Sequence, residues 1–267
     1  MHPSPIARIE LAFTTITVSD AGPIRTITLN RPARRNAMTP EMQMELAEAF
    51  EETASSSARV VLITGAGGAF CSGLDLAELR EMQDASPVDH RAEAERVARL
   101  FLALHDLPMP TIAAVQGPAI AGGCGLAFIC DFTIAAADAT FGFTEVRIGF
   151  VPAIVSAFLS LHVGQKISRD LLLTGRIVAA DEALRIGLIT AVVAQDELAA
   201  RIDALAESLL ANSPQSLATT KRLLNERHAA FLDKAILAAV DAYTEARAGS
   251  DLREGLAAFF EKRKPMW

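Results

Sequence analysis

Twice in this chain a β-strand pattern runs straight into a loop of small residues: Val60 to Thr64 into Gly65 to Gly73, and Thr111 to Gln116 into Gly117 to Gly125. A helical pattern begins just beyond each loop, and such junctions present backbone N–H groups that have no partner within the helix. If the two helix starts converge, one N–H from each grips a single carbonyl oxygen, an arrangement that stabilises an oxyanion. Taken singly, either loop reads more readily as a tight turn that lets backbones pack closely.

Other strand and helix patterns surround these junctions. Thr14 to Val18 and Ile24 to Leu29 alternate with period two about Ser19 to Pro23 and predict a β-hairpin. Thr39-Pro40-Glu41 predicts a capped helix running to about Thr53, and Val88 to Asp106 predicts another. Strands alternate with helices over residues 1–195, which assigns that part to the α/β class, whereas 196–267 reads as helical throughout. Ser213-Pro214 opens one of those helices, and Gly249-Ser250-Asp251 separates the last two.

Composition narrows the function. With 267 residues, 51% of them hydrophobic and 21% charged, the chain is long and apolar enough to bury a substantial core. A net charge of −7 argues against nucleic acid as a partner, because phosphate binding needs a basic face. Met1 to Ala12 carries no basic flank leading into an apolar run, and no stretch is long enough to span a bilayer, so neither a signal peptide nor a membrane partner is expected. Cys71, Cys124 and Cys130 lack zinc-type spacing and sit in apolar surroundings, which suits buried thiols in a cytoplasmic protein. The five histidines form no H-E-x-x-H pattern and no G-x-S-x-G elbow is present, so neither a metal site nor a serine triad is expected. Thr64-Gly65-Ala66-Gly67-Gly68 does not complete G-x-G-x-x-G, and Tyr243 is followed four residues later by Arg247 rather than lysine, which disfavours a nicotinamide enzyme.

One acidic residue stands out. Glu145 lies within Phe141 to Gly149, a mostly apolar context where a lone carboxylate is costly unless it is paired or functional. An apolar pocket would raise its pKa toward neutrality, as proton transfer requires, while the structural alternative is an ion pair with Arg147.

Read in order, Leu29-Asn30-Arg31-Pro32, Asn36-Ala37-Met38, Phe70 to Leu76, the Gly122-Gly123 loop with Cys130-Asp131, Phe141 to Gly149, Ala180 to Gly187 and Phe259 to Lys264 resemble the crotonase (enoyl-CoA hydratase/isomerase) family. The resemblance implies a spiral of stacked ββα turns followed by a helical C-terminal region that builds a homotrimer, often paired into a dimer of trimers. It implies an acyl-CoA thioester as substrate, with no cofactor beyond the CoA that the substrate carries. It places the oxyanion donors at the backbone N–H groups of Leu74 and Gly122, and the proton-transferring carboxylate at Glu145. Ser72, Asp75 and Leu76 would face CoA, and Arg31, Arg34, Arg35 and Lys262 are candidates for its phosphates, Lys262 across a subunit boundary. A solvated loop after Pro32 is the alternative reading of the arginines.

The chain departs from the family in one telling place. Hydratases of short enoyl-CoA esters typically carry two glutamates, one in the Gly-Gly loop and one in the later strand, and here Gly125 stands where the first would be. Val151 to Val155 also lacks the glycines that many hydratases show after the proline. Enoyl-CoA hydration in fatty-acid or branched-acyl catabolism is the first expectation. Isomerisation of a Δ3 to a Δ2 ester by one carboxylate is the alternative, and a CoA-thioester-binding member without activity is a third. Asp75 and Asp131 are the next acids to consider should Glu145 not serve.

Overall fold

A computed structural model describes residues 13–267. Met1 to Ala12, where no signal peptide is expected, lie outside these residues. In chain order the elements begin with β1 (Ile16–Ala21), β2 (Ile24–Leu29), α1 (Pro40–Ala54), β3 (Val60–Gly65), α2 (Leu76–Glu81), α3 (Pro87–His105), β4 (Thr111–Val115), β5 (Ala119–Ile120) and α4 (Gly122–Ile129). They continue with β6 (Phe132–Ala136), β7 (Thr140–Gly142), α5 (Ala153–Thr174), β8 (Ile177–Ala179), α6 (Ala180–Arg185) and β9 (Ala191–Val193). The chain closes on α7 (Leu198–Leu210), α8 (Pro214–Glu226), α9 (Ala229–Ala248) and α10 (Ser250–Glu261).

Local chemistry explains most of the boundaries. Thr39 caps α1 by accepting the Met42 N–H at 3.2 Å, with Pro40 in the first turn. Ser86 and Asp89 close a reciprocal capping box at the start of α3. The first strand is longer than its apolar pattern predicts. Ser19, Asp20 and Ala21 are exposed yet remain in the ladder, because Asp20 pairs across it with Arg25 through an Nε–Oδ1 contact of 2.8 Å.

The long strands form one sheet in the order β1-β2-β3-β4-β6-β9, parallel except for the first hairpin. Beside it, β5, β7 and β8 make a second, smaller sheet, which Cys71 extends by a parallel bridge to Ala119. Each of β3, β4 and β6 is therefore followed within a few residues by a short segment in the second layer, at Cys71, β5 and β7, and then by a helical segment. This repeat is the spiral of ββα turns that the family resemblance implies.

Both faces of the long sheet are covered, which is why all five residues of β4 are buried. Val61, Ile63, Ala113 and Val115 face the main core with α1, α3 and α4. Val60, Ile112, Ala114 and Ile134 face outward and are covered by Leu198, Ile202, Ala206 and Leu209, one stripe of α7. After Val193 every described element is helical, and α9 lies against both α3 and α5. Among the described residues no helix is long and apolar enough to cross a membrane.

Candidate active site

The two small-residue loops meet backbone to backbone. A Cβ placed on Gly123 would lie 2.2 Å from the Cys71 carbonyl oxygen, so only glycine permits the approach. Asn36 holds the first loop from below. Its buried amide donates to the carbonyls of Ala66, Ala69 and Phe70 at 3.0, 2.8 and 3.1 Å, while its Oδ1 accepts the Arg31 N–H at 2.9 Å.

At this junction the N–H groups of Leu74 and Gly122 have no backbone acceptor outside their own elements among the described residues. Met38 forms a parallel bridge with Leu74, donating to the Gly73 carbonyl at 2.8 Å and accepting from the Asp75 N–H at 3.0 Å. In such a bridge the central residue's own N–H points away from its partner, so that of Leu74 is turned outward. Gly122 opens α4, where an N–H has no carbonyl one turn back. The two donors are neighbours: Gly73, held at φ +85°, would place a Cβ 3.4 Å from the Gly122 nitrogen. Ala121, at φ 53° and ψ −127°, sits in a region that costs about 1–3 kcal/mol for a residue with a side chain. Its N–H donates to the Gly142 carbonyl at 2.7 Å, which holds the strained turn in place.

Leu74 and Gly122 line a cavity of about 690 Å³, as do Arg34, Arg35, Ser72, Asp75, Leu76 and Glu145. Its deeper wall is apolar and includes Leu79, Val97, Phe101, Phe150 and Val155. Glu145 is found not in a strand but at the start of a one-turn 3-10 helix, Glu145–Ile148, that follows β7. The Gly149 N–H returns to the Glu145 carbonyl, and the turn aims the carboxylate into the cavity. Arg147 is not its partner: Oε2 is fully buried with no hydrogen bond among the described residues. Burial raises the Glu145 pKa to about 7.

The remaining expected residues separate into two groups. Arg34 and Arg35 stand on the cavity wall, whereas Arg31 turns back to the Ala37 carbonyl and to Asp75, at 2.5 and 3.1 Å. Asp75 is thereby paired, and it also caps α2 through the Ala77 N–H. Lys262 is exposed outside the cavity lining, while its neighbour Arg263 lines it. Asp131 accepts from Thr111 and Lys221 Nζ, away from the cavity. All three thiols are buried, and desolvation pushes those of Cys71 and Cys130 up to about 12.

Gly125 is buried one helical turn beyond Gly122, and its place is crowded. A Cβ there would lie 2.6 Å from Val155 Cγ1 and 3.0 Å from Phe101 Cε1. Those two side chains occupy the space where a second carboxylate would begin. Neither was singled out from the sequence as bearing on this position.

Comparison with known proteins bears directly on this arrangement. The sequence pattern of the enoyl-CoA hydratase/isomerase family matches residues 20–267. The chain belongs to that family, within the crotonase superfamily. It is 41% identical over 247 residues to a putative enoyl-CoA hydratase of Thermus thermophilus, covering 92% of this chain and 98% of the relative. It is 33% identical over 257 residues to the crotonyl-CoA hydratase of Syntrophomonas wolfei, covering 95% and 98%. Among solved structures, an enoyl-CoA hydratase/isomerase from Xanthobacter autotrophicus superposes with a TM-score of 0.87 at 34% identity, covering 94% of this chain and 98% of the other. An enoyl-CoA hydratase from Mycobacterium avium subsp. paratuberculosis superposes with a TM-score of 0.86 at 30% identity, covering 96% and 99%. As a crotonase-family enzyme the chain is of the enoyl-CoA hydratase or isomerase type.

Proposed function

We propose that the cavity binds an enoyl-CoA thioester with its carbonyl oxygen between the N–H groups of Leu74 and Gly122, and that Glu145 moves the proton. The observation that carries this reading is the Glu145 carboxylate, its Oε2 buried with no hydrogen bond among the described residues and its pKa raised to about 7 by burial, in the same apolar cavity as two backbone donors. In hydration of a 2-enoyl ester, ionised Glu145 takes a proton from water as the oxygen adds to the β-carbon. The displaced π electrons collect on the thioester oxygen as an enolate, and protonated Glu145 then delivers its proton to the α-carbon. Each backbone donor stabilises that oxyanion by roughly 3–4 kcal/mol in comparable sites. The relatives' names support hydration as the overall reaction.

A second reading is favoured by the filled space around Gly125. With Phe101 and Val155 closing that side, Glu145 would take the α-proton of a 3-enoyl ester and return it to the γ-carbon, completing isomerisation through the same enolate. In either case Arg34, Arg35 and Ser72, which line the cavity, would meet CoA, and Lys262 would contribute from a neighbouring copy. Exposed Leu223, Leu224, Phe231 and Leu237 on α8 and α9 support a homotrimer or a dimer of trimers. The buried free thiols suit a cytoplasmic setting.

The test is Glu145→Gln, assayed on 2-enoyl- and 3-enoyl-CoA esters with products separated by chromatography. Turnover should fall by about 100- to 10,000-fold while affinity for a saturated acyl-CoA stays unchanged. Retention of most of the activity would exclude Glu145 as the proton carrier.

A further inference from the structure

Helix α3 acts as a ruler through the site. Phe101, Val97 and Glu93 recur at a spacing of four on one side of it. Phe101 marks the donor end: a Cβ on Gly122 would lie 3.9 Å from its Cζ. Val97 lines the cavity one turn back, and Glu93 lies a turn beyond that, outside the lining. At that point α9 brings Tyr243 onto the cavity wall, and its hydroxyl donates to Glu93 Oε1 at 3.0 Å.

The carboxylate of Glu93 is held in turn. Its Oε2 accepts from Arg247 Nε at 2.7 Å, and Arg247 Nη1 donates to the Leu79 carbonyl at 3.2 Å. Tyr243, Glu93 and Arg247 are all buried, and the tyrosine ring stands edge-on to Phe150 with centroids 4.9 Å apart. Burying an ion pair is a poor source of stability compared with apolar packing of similar volume. What this pair supplies is a fixed tyrosine: with its hydroxyl bonded and its ring against Phe150, Tyr243 has no free rotamer.

We propose that Tyr243, locked by Glu93 and Arg247, is the end wall of the acyl pocket and restricts the substrate to apolar enoyl-CoA esters of short to medium chain length. This rests on the reading of the cavity as an enoyl-CoA site. Eight residues separate Phe101 from Glu93, about 12 Å along the helix axis. An extended chain advances about 1.2 Å per bonded atom. The wall therefore stands within about ten atoms of the thioester, and fewer once the tyrosine ring is counted. Because the hydroxyl is committed to Glu93, the ring carbons are what the acyl terminus meets.

The experiment uses the full-length protein and a series of straight-chain 2-enoyl-CoA esters lengthened two carbons at a time, with the matching saturated acyl-CoA esters followed by calorimetry. For the wild type, kcat/KM should rise by about fourfold for each methylene that is buried, and then break downward where the chain reaches the wall. Tyr243→Ala should move the break to longer esters, whereas Tyr243→Phe, which keeps the ring, should leave it in place. Glu93→Ala should blur the break by freeing the ring, and Glu93→Gln, which retains an acceptor, should restore it. Should Tyr243→Ala fail to fold, Tyr243→Leu should shift the break in the same direction by less. A break at the wild-type length in Tyr243→Ala, or in Tyr243→Leu should the alanine variant not fold, would overturn the proposal. If the wild type turns over no enoyl ester, the enoyl-CoA reading fails, yet the saturated series still locates the wall; if turnover is normal and the break does not move, the end wall alone is wrong.

Discussion

Restoring a second carboxylate by Gly125→Glu should fail as a single change, and the packing around that glycine says why. The new Cβ would sit 2.6 Å from Val155 Cγ1 and 3.0 and 3.1 Å from Phe101 Cε1 and Cζ. Carbon atoms prefer about 3.5–4.0 Å, so Val155 would have to retreat by about 1 Å from a buried position on α5. Overpacking of this kind costs about 1–3 kcal/mol, and a buried carboxylate left unpaired adds about as much again. A loss of about 2–6 kcal/mol with no gain in hydration is the expected outcome for the single variant. Val155→Ala removes the obstructing methyl groups and costs about 2 kcal/mol alone. The two changes occupy one space and should therefore couple by about 1–3 kcal/mol, so that Gly125→Glu/Val155→Ala loses less stability than the sum of its two single changes. The double variant should also hydrate a 2-enoyl ester faster relative to isomerisation of a 3-enoyl ester. Denaturant unfolding reads the first effect, and loss of conjugated enoyl-thioester absorbance reads the second. Gly125→Glu alone with a wild-type midpoint and raised hydration would refute the packing argument.

Three further outcomes are expected. Because the folded Glu145 pKa of about 7 lies above its ordinary value of 4.5, the native state holds a proton that the unfolded state has lost between those pH values. Stability should fall by up to about 3 kcal/mol as pH rises from 4.5 to 7, a slope that unfolding of Glu145→Gln should lack, while wild-type kcat/KM should rise through about pH 7 and level off. Gly73→Ala forces a side chain into a φ of +85° and places its Cβ 2.7 Å from that of Ala121; steady-state kinetics should show kcat lowered by about 100- to 1,000-fold as the Leu74 donor is displaced. Arg247→Ala leaves Glu93 buried and uncompensated, and denaturant titration should show a loss of about 3–5 kcal/mol.

Those perturbations separate what was legible in the residues from what was not. Thr39 and Ser213 mark helix starts because capping is settled within three or four residues, and each accepts the expected N–H, whereas the cap at Ser86, two residues before Val88, was not read from the sequence. The two strand-to-loop junctions are legible for the same reason. Where a boundary depended on a neighbour, the pattern fell short: exposed Ser19 to Ala21 lengthen β1 only because β2 lies alongside. Glu145 was recognisable as an isolated acid in apolar sequence, but its 3-10 turn and its separation from Arg147 were not.

The sequence by itself determined the first hairpin, the α/β alternation, the helical C-terminal part, the two small-residue loops and the identity of the lone acid, because each rests on short-range periodicity, caps and glycine sterics. Only the tertiary structure decided which side chains border the chemistry. Phe101 and Val155 meet at Gly125 from α3 and α5, and Tyr243 reaches Glu93 across 150 positions of chain. Arg263, not Lys262, faces the cavity because Lys262 takes the left-handed turn that ends α10 and its side chain stays in solvent. Such contacts follow from how the helices lie on the sheets, a geometry set by the summed burial of two cores rather than by any segment's own pattern.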